Sequence, residues 1–357
     1  MAKISLKQLR ALASGASCVA FLVGAIGVAN AATPAHYLSA QQAQSQAPKP
    51  SADELKEAKK VEAAVDAAAR QQAAGEFLKK YPKSPLRLQV AQLVLQKMSE
   101  VQDNAQQIAL AENFATIFNE PAEADLVQPF MIDAYITANR HADTFRVANA
   151  YLARNPEAVG VLTQVTLIGI DQARTGNAQF AEPSRQYGIK AVELIEANKK
   201  PTDFDDARWA EYKTKWLPRL YQSLGVLSHV TKDSAGAVAR LEKAAALNPA
   251  DAFNYLLLSD IYNSQYEALA QEYKAAPDGP AKEELLKKSQ AQMDKVIDAY
   301  AHALALSEGD ERLKQVREQI MSDLQTYYKY RHNGSTDGLQ QLIDKYKLPA
   351  ATATPKP

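Results

Sequence analysis

The sequence predicts an all-α protein, on three observations. Ala, Leu, Gln, Lys and Glu dominate from residue 51 to residue 348 while Gly is scarce, which is the composition of good helix formers. No run alternates apolar with polar residues as a half-buried strand would. Pro82, Pro121, Pro156, Pro201 and Pro249 fall 39, 35, 45 and 48 residues apart, each interval long enough for two antiparallel helices and a turn. A proline inside a helix costs about 3 kcal/mol, so these positions read as hairpin boundaries.

Taken in order, residues 1–31 read as a secretory signal. Lys3, Lys7 and Arg10 give a positive start, Leu12 to Val28 an uncharged apolar run, and Ala29-Asn30-Ala31 a small-residue site for cleavage after Ala31. The apolar run of about 17 residues is shorter than the roughly 20 that a spanning helix needs, so no stable membrane insertion is expected after cleavage. The expected location is periplasmic or secreted. Cys18, the only cysteine, lies inside this run without the upstream Leu of a lipoprotein signal, so the mature chain has no thiol or disulfide to use.

Residues 32–50, rich in Ala, Gln, Ser and Pro, read as a flexible linker, and residues 349–357 as a disordered tail. The folded body is then 51–348. Removing Lys3, Lys7 and Arg10 from 41 basic residues leaves 38 against 41 acidic ones, a net charge of −3 with His neutral. That even mixture argues against nucleic acid or an anionic membrane as partner, since both need a concentrated basic field.

Helix starts are written locally. Ser51 with Glu54 forms a capping box, and Ser84-Pro85 reads as a cap followed by proline in the first turn. Asp203, Asp205 and Asp206 stand ahead of a helix, where carboxylates satisfy free N–H groups. In the 333–338 segment, Gly334 and Gly338 suit a left-handed helix stop, and Ser335 or Thr336 a cap, before a last short helix with Leu339, Leu342, Ile343 and Tyr346.

Tyr221, Leu224 and Gly225 are followed by Ala237, Leu241, Ala244 and Pro249, and Tyr255, Leu258 and Tyr262 restart the pattern 34 residues after Tyr221. This resembles the tetratricopeptide repeat, clearest over 218–251 and 252–308. Phe77 to Pro85 is similar to the hairpin junctions of exported bacterial repeat proteins of the Tol-Pal and outer-membrane-assembly kind. The resemblance implies a right-handed superhelix of stacked antiparallel hairpins, with Gly225 and Ala237 as the small contacts between paired helices. Ser228 departs from it, standing where the family usually has an aromatic.

The second unit carries an insertion, 263–295. From Tyr262 to Val296 is 34 residues where ordinary repeats place about nine, so a protruding hairpin is expected with its tip at Pro277-Asp278-Gly279-Pro280. Tyr255, Tyr262, Tyr266 and Tyr273 share one helix face, with Leu285, Met293 and Val296 positioned to oppose them as an internal seam.

His36, His141, His229, His302 and His332 have no second histidine three to five residues away, and no glycine-rich phosphate loop is present. No catalytic residue, metal site or cofactor is therefore expected, and the chain reads as a non-enzyme. The resemblance implies a protein or peptide partner in a groove lined by first helices, facing Arg219, Gln222, Val226, His229, Phe253, Leu256, Asp260 and Asn263. Trp209, Tyr212 and Trp216, at steps of three and four, form a structural wedge or, alternatively, an aromatic ligand site. Three functions follow, in this order: an exported scaffold for protein interaction in the cell envelope, a periplasmic glycan- or solute-binding protein, and last an enzyme whose site residues are scattered along the repeats.

Overall fold

The computed structural model describes residues 49–348. The expected signal peptide, nearly all of the linker and the terminal tail lie outside them. Among the described residues there is no strand. The α-helices run α1 (Ala52–Ala63), α2 (Ala67–Lys80), α3 (Arg87–Met98), α4 (Asn104–Ile117), α5 (Pro121–Thr137), α6 (His141–Arg154) and α7 (Val159–Arg174). They continue as α8 (Ala181–Glu196), α9 (Asp206–Val230), α10 (Ser234–Leu247), α11 (Ala252–Ala275), α12 (Pro280–Leu306), α13 (Lys314–Arg331) and α14 (Leu339–Asp344). Two helices stand in each interval between the five prolines: α3–α4, α5–α6, α7–α8 and α9–α10. Pro121 occupies the first position of α5, where its missing N–H is no loss. Pro129 and Pro218, by contrast, lie inside helices.

The local caps explain where these helices begin. The Ser51 hydroxyl accepts from the Glu54 N–H at 3.2 Å while the Glu54 carboxylate accepts from the Ser51 N–H at 2.7 Å. Asp66, Asp103, Asp233 and Asp251 each cap the helix that follows them, and Asp205 accepts from the Arg208 N–H at 2.7 Å in the first turn of α9. Ser84-Pro85 differs from expectation. The buried Ser84 hydroxyl closes a turn by accepting from the Leu86 N–H at 3.2 Å, and α3 starts only at Arg87, with no side-chain cap.

Several helices end in the left-handed region. Asn139, Asn198, Lys232 and Asn333 have φ of 56°, 54°, 66° and 51°, and the next residue's N–H reaches back to a carbonyl five positions away, as from Asp233 to Ser228 at 2.8 Å. Asn tolerates this conformation better than Lys does. Lys232→Gly is expected to stabilise the fold by about 1 kcal/mol, read as a higher urea midpoint with an unchanged slope.

The described residues divide into two compact units. In the first, 49–168 with 193–211, each of α1 to α5 packs on its chain neighbour and on the next helix but one, the pattern of hairpins nested in series. Phe77, Val90, Val94, Met98, Phe114, Ile132 and Tyr135 fill its core. Gln71, 1% exposed, ties α2 to α4: its amide donates to the Leu110 carbonyl at 2.6 Å and accepts from Asn113 at 2.7 Å.

In the second unit, 169–192 with 212–348, α11 and α12 form the longest paired contact, with α10 on α11 and both α13 and α14 on α12. One core runs from Ala237 and Leu241 through Tyr262, Val296 and Tyr300 to Leu324 and Ile343. The α11–α12 hairpin is the expected extended one, 24 and 27 residues against 14 in α10, with Gly279 at φ 147° in its turn. The seam is shorter than expected. Tyr262, Met293 and Val296 are buried together, whereas Tyr273 and Leu285 are only half-buried. Tyr255 stacks instead on the His302 ring at 4.3 Å, and Tyr346, beyond α14, covers the other face of that ring at 3.3 Å.

Candidate functional site

Helix pairing sets the geometry on which any site rests. A Cβ on Gly225 would stand 2.5 Å from Leu241 Cγ and 3.4 Å from the Ala237 carbonyl oxygen, so only glycine permits this approach of α9 to α10. Gly169 makes a second close approach: a Cβ there would run into the Ser184 side chain and stand 3.2 Å from the Phe180 carbonyl oxygen. Ser228, at the expected aromatic slot, is fully buried and accepts from the Arg240 guanidinium at 3.0 Å. Sequence reasoning singled out Gly225 with Ala237 and missed Gly169, whose helix approaches Ser184 as closely.

The first-helix face of the second unit brings together α11 and α13. Positions 260, 263 and 267 of α11 recur at helical spacing, as do 319, 323, 327 and 330 of α13. Arg317 anchors α13 to the end of α12, donating to the Leu304 carbonyl at 2.5 Å and to the Ser307 hydroxyl at 2.7 Å. The Tyr327 hydroxyl then donates to the Asn263 side-chain oxygen at 2.6 Å, and the Asn263 amide donates to Glu267 at 3.4 Å. Tyr266 meets the Tyr327 ring edge-on at 5.5 Å, and Tyr300 of α12 lies parallel to Tyr327 at 6.4 Å.

Asp260, Glu267 and Asp323 make this face rich in carboxylates. Asp260 makes no hydrogen bond or ion pair with any described residue, and burial together with the Glu267 charge pushes its carboxyl up to about 6. Burial also raises Asp323, which accepts from Gln319 at 3.1 Å. The Tyr327 phenol is pushed up to about 12 by burial and by Tyr266, Asp323 and Glu267. Tyr300 is 5% exposed, and burial followed by the fields of Asp323, Tyr327, Asp260 and Glu267 moves its phenol strongly upward.

The sign of the stability effect follows from Asp260. Its folded pKa, about 6, exceeds the unfolded 3.8, so the folded state holds the proton more tightly and stability falls as pH rises from about 4 to about 6. Asp260→Asn is expected to flatten that part of the profile and to add about 1–2 kcal/mol at pH 7, since the half-buried carboxylate keeps part of its hydration. Urea titrations at pH 4.5 and pH 7 measure both.

The other expected groove residues divide. Arg219 is exposed beside Trp216, and Phe253 is half-buried against the core. Gln222 spends its amide on Asp251 and Asn254, both at 2.9 Å. His229 is half-buried, its Nδ1 has no partner, and burial holds its pKa below the usual value. Val226 and Leu256 are corrections: at 5% and 3% exposure both belong to hydrophobic clusters, because α9 and α11 are covered on more than one side.

The alternative aromatic site is corrected as well. Trp209 is 3% exposed with its indole N–H on Asn198 at 2.9 Å, and Trp216 is 6% exposed beneath Arg219 and Lys215. Neither ring lies open to a sugar. A cleft lined by Lys83, Ser84, Arg87, Glu120 and Glu123 is occupied by an internal ion pair, Arg87 to Glu123 at 2.7 Å. Among the described residues no group of three or more His, Cys, Asp or Glu side chains is arranged to hold a metal ion, and no helix is long and apolar enough to cross a membrane.

No protein-family model and no curated protein matches the chain. Among solved structures it is similar to a tetratricopeptide repeat protein from Parabacteroides merdae, at 13% identity and a TM-score of 0.33, over 75% of this chain and 98% of that one. At that level nothing about ligands transfers, and the fold rests on the hairpin geometry itself.

Proposed function

We propose that the chain is an exported, non-enzymatic scaffold that binds another protein in the cell envelope. The observation that carries this reading is the α11–α13 face. It gathers Asp260, Asn263, Tyr266 and Tyr327 on helices held rigid by buried packing, and it leaves polar groups there that the fold itself does not satisfy. Side chains fixed in this way suit recognition, since little conformational entropy remains to be lost on binding. Export rests on the sequence of residues 1–31.

Two measurements test this. N-terminal sequencing of the protein recovered from the host envelope is expected to begin at Ala32. Photo-crosslinking from position 263 or 330, on α11 and α13, is expected to capture a discrete envelope protein. Crosslinks to no protein from either helix would defeat the scaffold reading.

A further inference from the structure

Asn139, Asn198 and Asn333 stop their helices in one and the same backbone setting. Their φ angles are 56°, 54° and 51°, and in each case the next residue's N–H donates at 2.8 Å to a carbonyl five positions back: Arg140 to Tyr135, Lys199 to Leu194, Gly334 to Lys329. What differs is the residue that follows. Asn333 precedes a glycine, as no other asparagine of the sequence does. Asn333 and Gly334 are both exposed, and the Asn333 side chain makes no hydrogen bond with a described residue. Nothing stands within 4 Å of where a Cβ on Gly334 would be, so no neighbour shields its nitrogen.

From this setting we infer that Asn333 is a site of spontaneous deamidation, and that its conversion loosens the seat of α14. Asparagine is a chemically labile residue. The Gly334 nitrogen attacks the Asn333 side-chain carbonyl carbon. A new N–C bond forms, the bond from that carbon to Nδ2 breaks, and Nδ2 leaves as ammonia with the proton of the Gly334 N–H. Water then opens the cyclic imide at either carbonyl, giving aspartate or isoaspartate with no change of oxidation state. At Arg140 and Lys199 a side chain obstructs the same attack, whereas glycine has none. The Gly334 bond to Lys329 must open first, so fraying of the last turn of α13 sets the pace. Isoaspartate runs the main chain through the former side-chain carbon, which abolishes the left-handed stop. Aspartate keeps the stop but puts a charge at the negative end of α13. The segment that follows accepts the Tyr328 hydroxyl on the Asp337 carbonyl at 2.9 Å and delivers Leu339 and Ile343 of α14 to the core.

The test holds the full chain at alkaline pH and follows each asparagine by mass spectrometry of its proteolytic peptides. Asn333 is expected to convert at least about tenfold faster than Asn139, which is equally exposed. Arg140→Gly creates a second Asn–Gly pair in the same backbone setting, and Asn139 is then expected to convert within about threefold of the Asn333 rate. In the converted protein, hydrogen exchange of α14 amides is expected to be about tenfold faster while that of α10 stays the same. Equal rates at Asn139 and Asn333 in the natural chain, or an inert Asn139 in Arg140→Gly, overturn the inference. So does an Asn333 that keeps its amide in the folded chain while the urea-unfolded chain converts, or unchanged α14 exchange after conversion.

Discussion

Arg87→Met is expected to cost about 3–5 kcal/mol, enough to take the first unit close to unfolding at 25 °C. Arg87 donates to both carboxylate oxygens of Glu123, at 2.7 and 2.8 Å, and to the Pro82 carbonyl at 2.9 Å. The pair is enclosed, with side-chain exposures of 13% and 2%. Removing the guanidinium leaves the Glu123 charge out of water with only the Glu120 N–H, at 3.1 Å, to face it. Adding Glu123→Leu to the variant removes the stranded charge and is expected to restore most of the loss, less about 1 kcal/mol for the capping interaction. Urea unfolding of the four proteins completes the cycle. A loss under about 1 kcal/mol in Arg87→Met would mean that water reaches Glu123 freely.

Gly225→Leu is expected to cost about 3 kcal/mol, because α9 and α10 cannot part without disturbing Leu241 and Ala237 at the centre of the repeat. The first added carbon would already stand 2.5 Å from Leu241 Cγ and 2.8 Å from its Cδ2. Gly225→Ala is milder, since better helix propensity returns about 1 kcal/mol against the clash. Leu241→Ala beside Gly225→Leu should recover part of the loss by opening room, whereas Leu241→Ala alone leaves a cavity and costs about 2–5 kcal/mol. Thermal and urea midpoints of these variants report how much of this hairpin's stability depends on the close backbone approach.

Much of the fold was legible because the features that set it are local. Ser51 with Glu54, the five spacing prolines and the 277–280 turn act through a few consecutive backbone groups, and each is found where its chemistry places it. Pro218 escaped this reasoning: α9 continues through it because Trp216, Leu220 and Leu224 are buried around it, and tertiary packing outweighs the local penalty. The candidate site was half legible. Asp260 and Asn263 were expected on the open face, but Val226 and Leu256 are interior. A helical period shows that residues share a side and does not say what covers that side. Asp323, Tyr327 and Tyr300 gain their meaning only from three helices meeting, although the 319, 323, 327, 330 series was present to be read as a second face.

Between Tyr262 and Ser289 no residue of the α11–α12 hairpin is buried. Its outer half is thus a two-stranded ribbon of helix held by backbone bonds and thin mutual cover, in which local opening needs little of the free energy that guards the rest of the second unit. Amides past residue 267 should exchange with deuterium through fraying from the tip, on a clock separate from global unfolding. A ribbon of this kind can bend or melt without loosening the repeats beneath it, which makes it the natural place to shorten the chain, attach a probe or let a protease nick first.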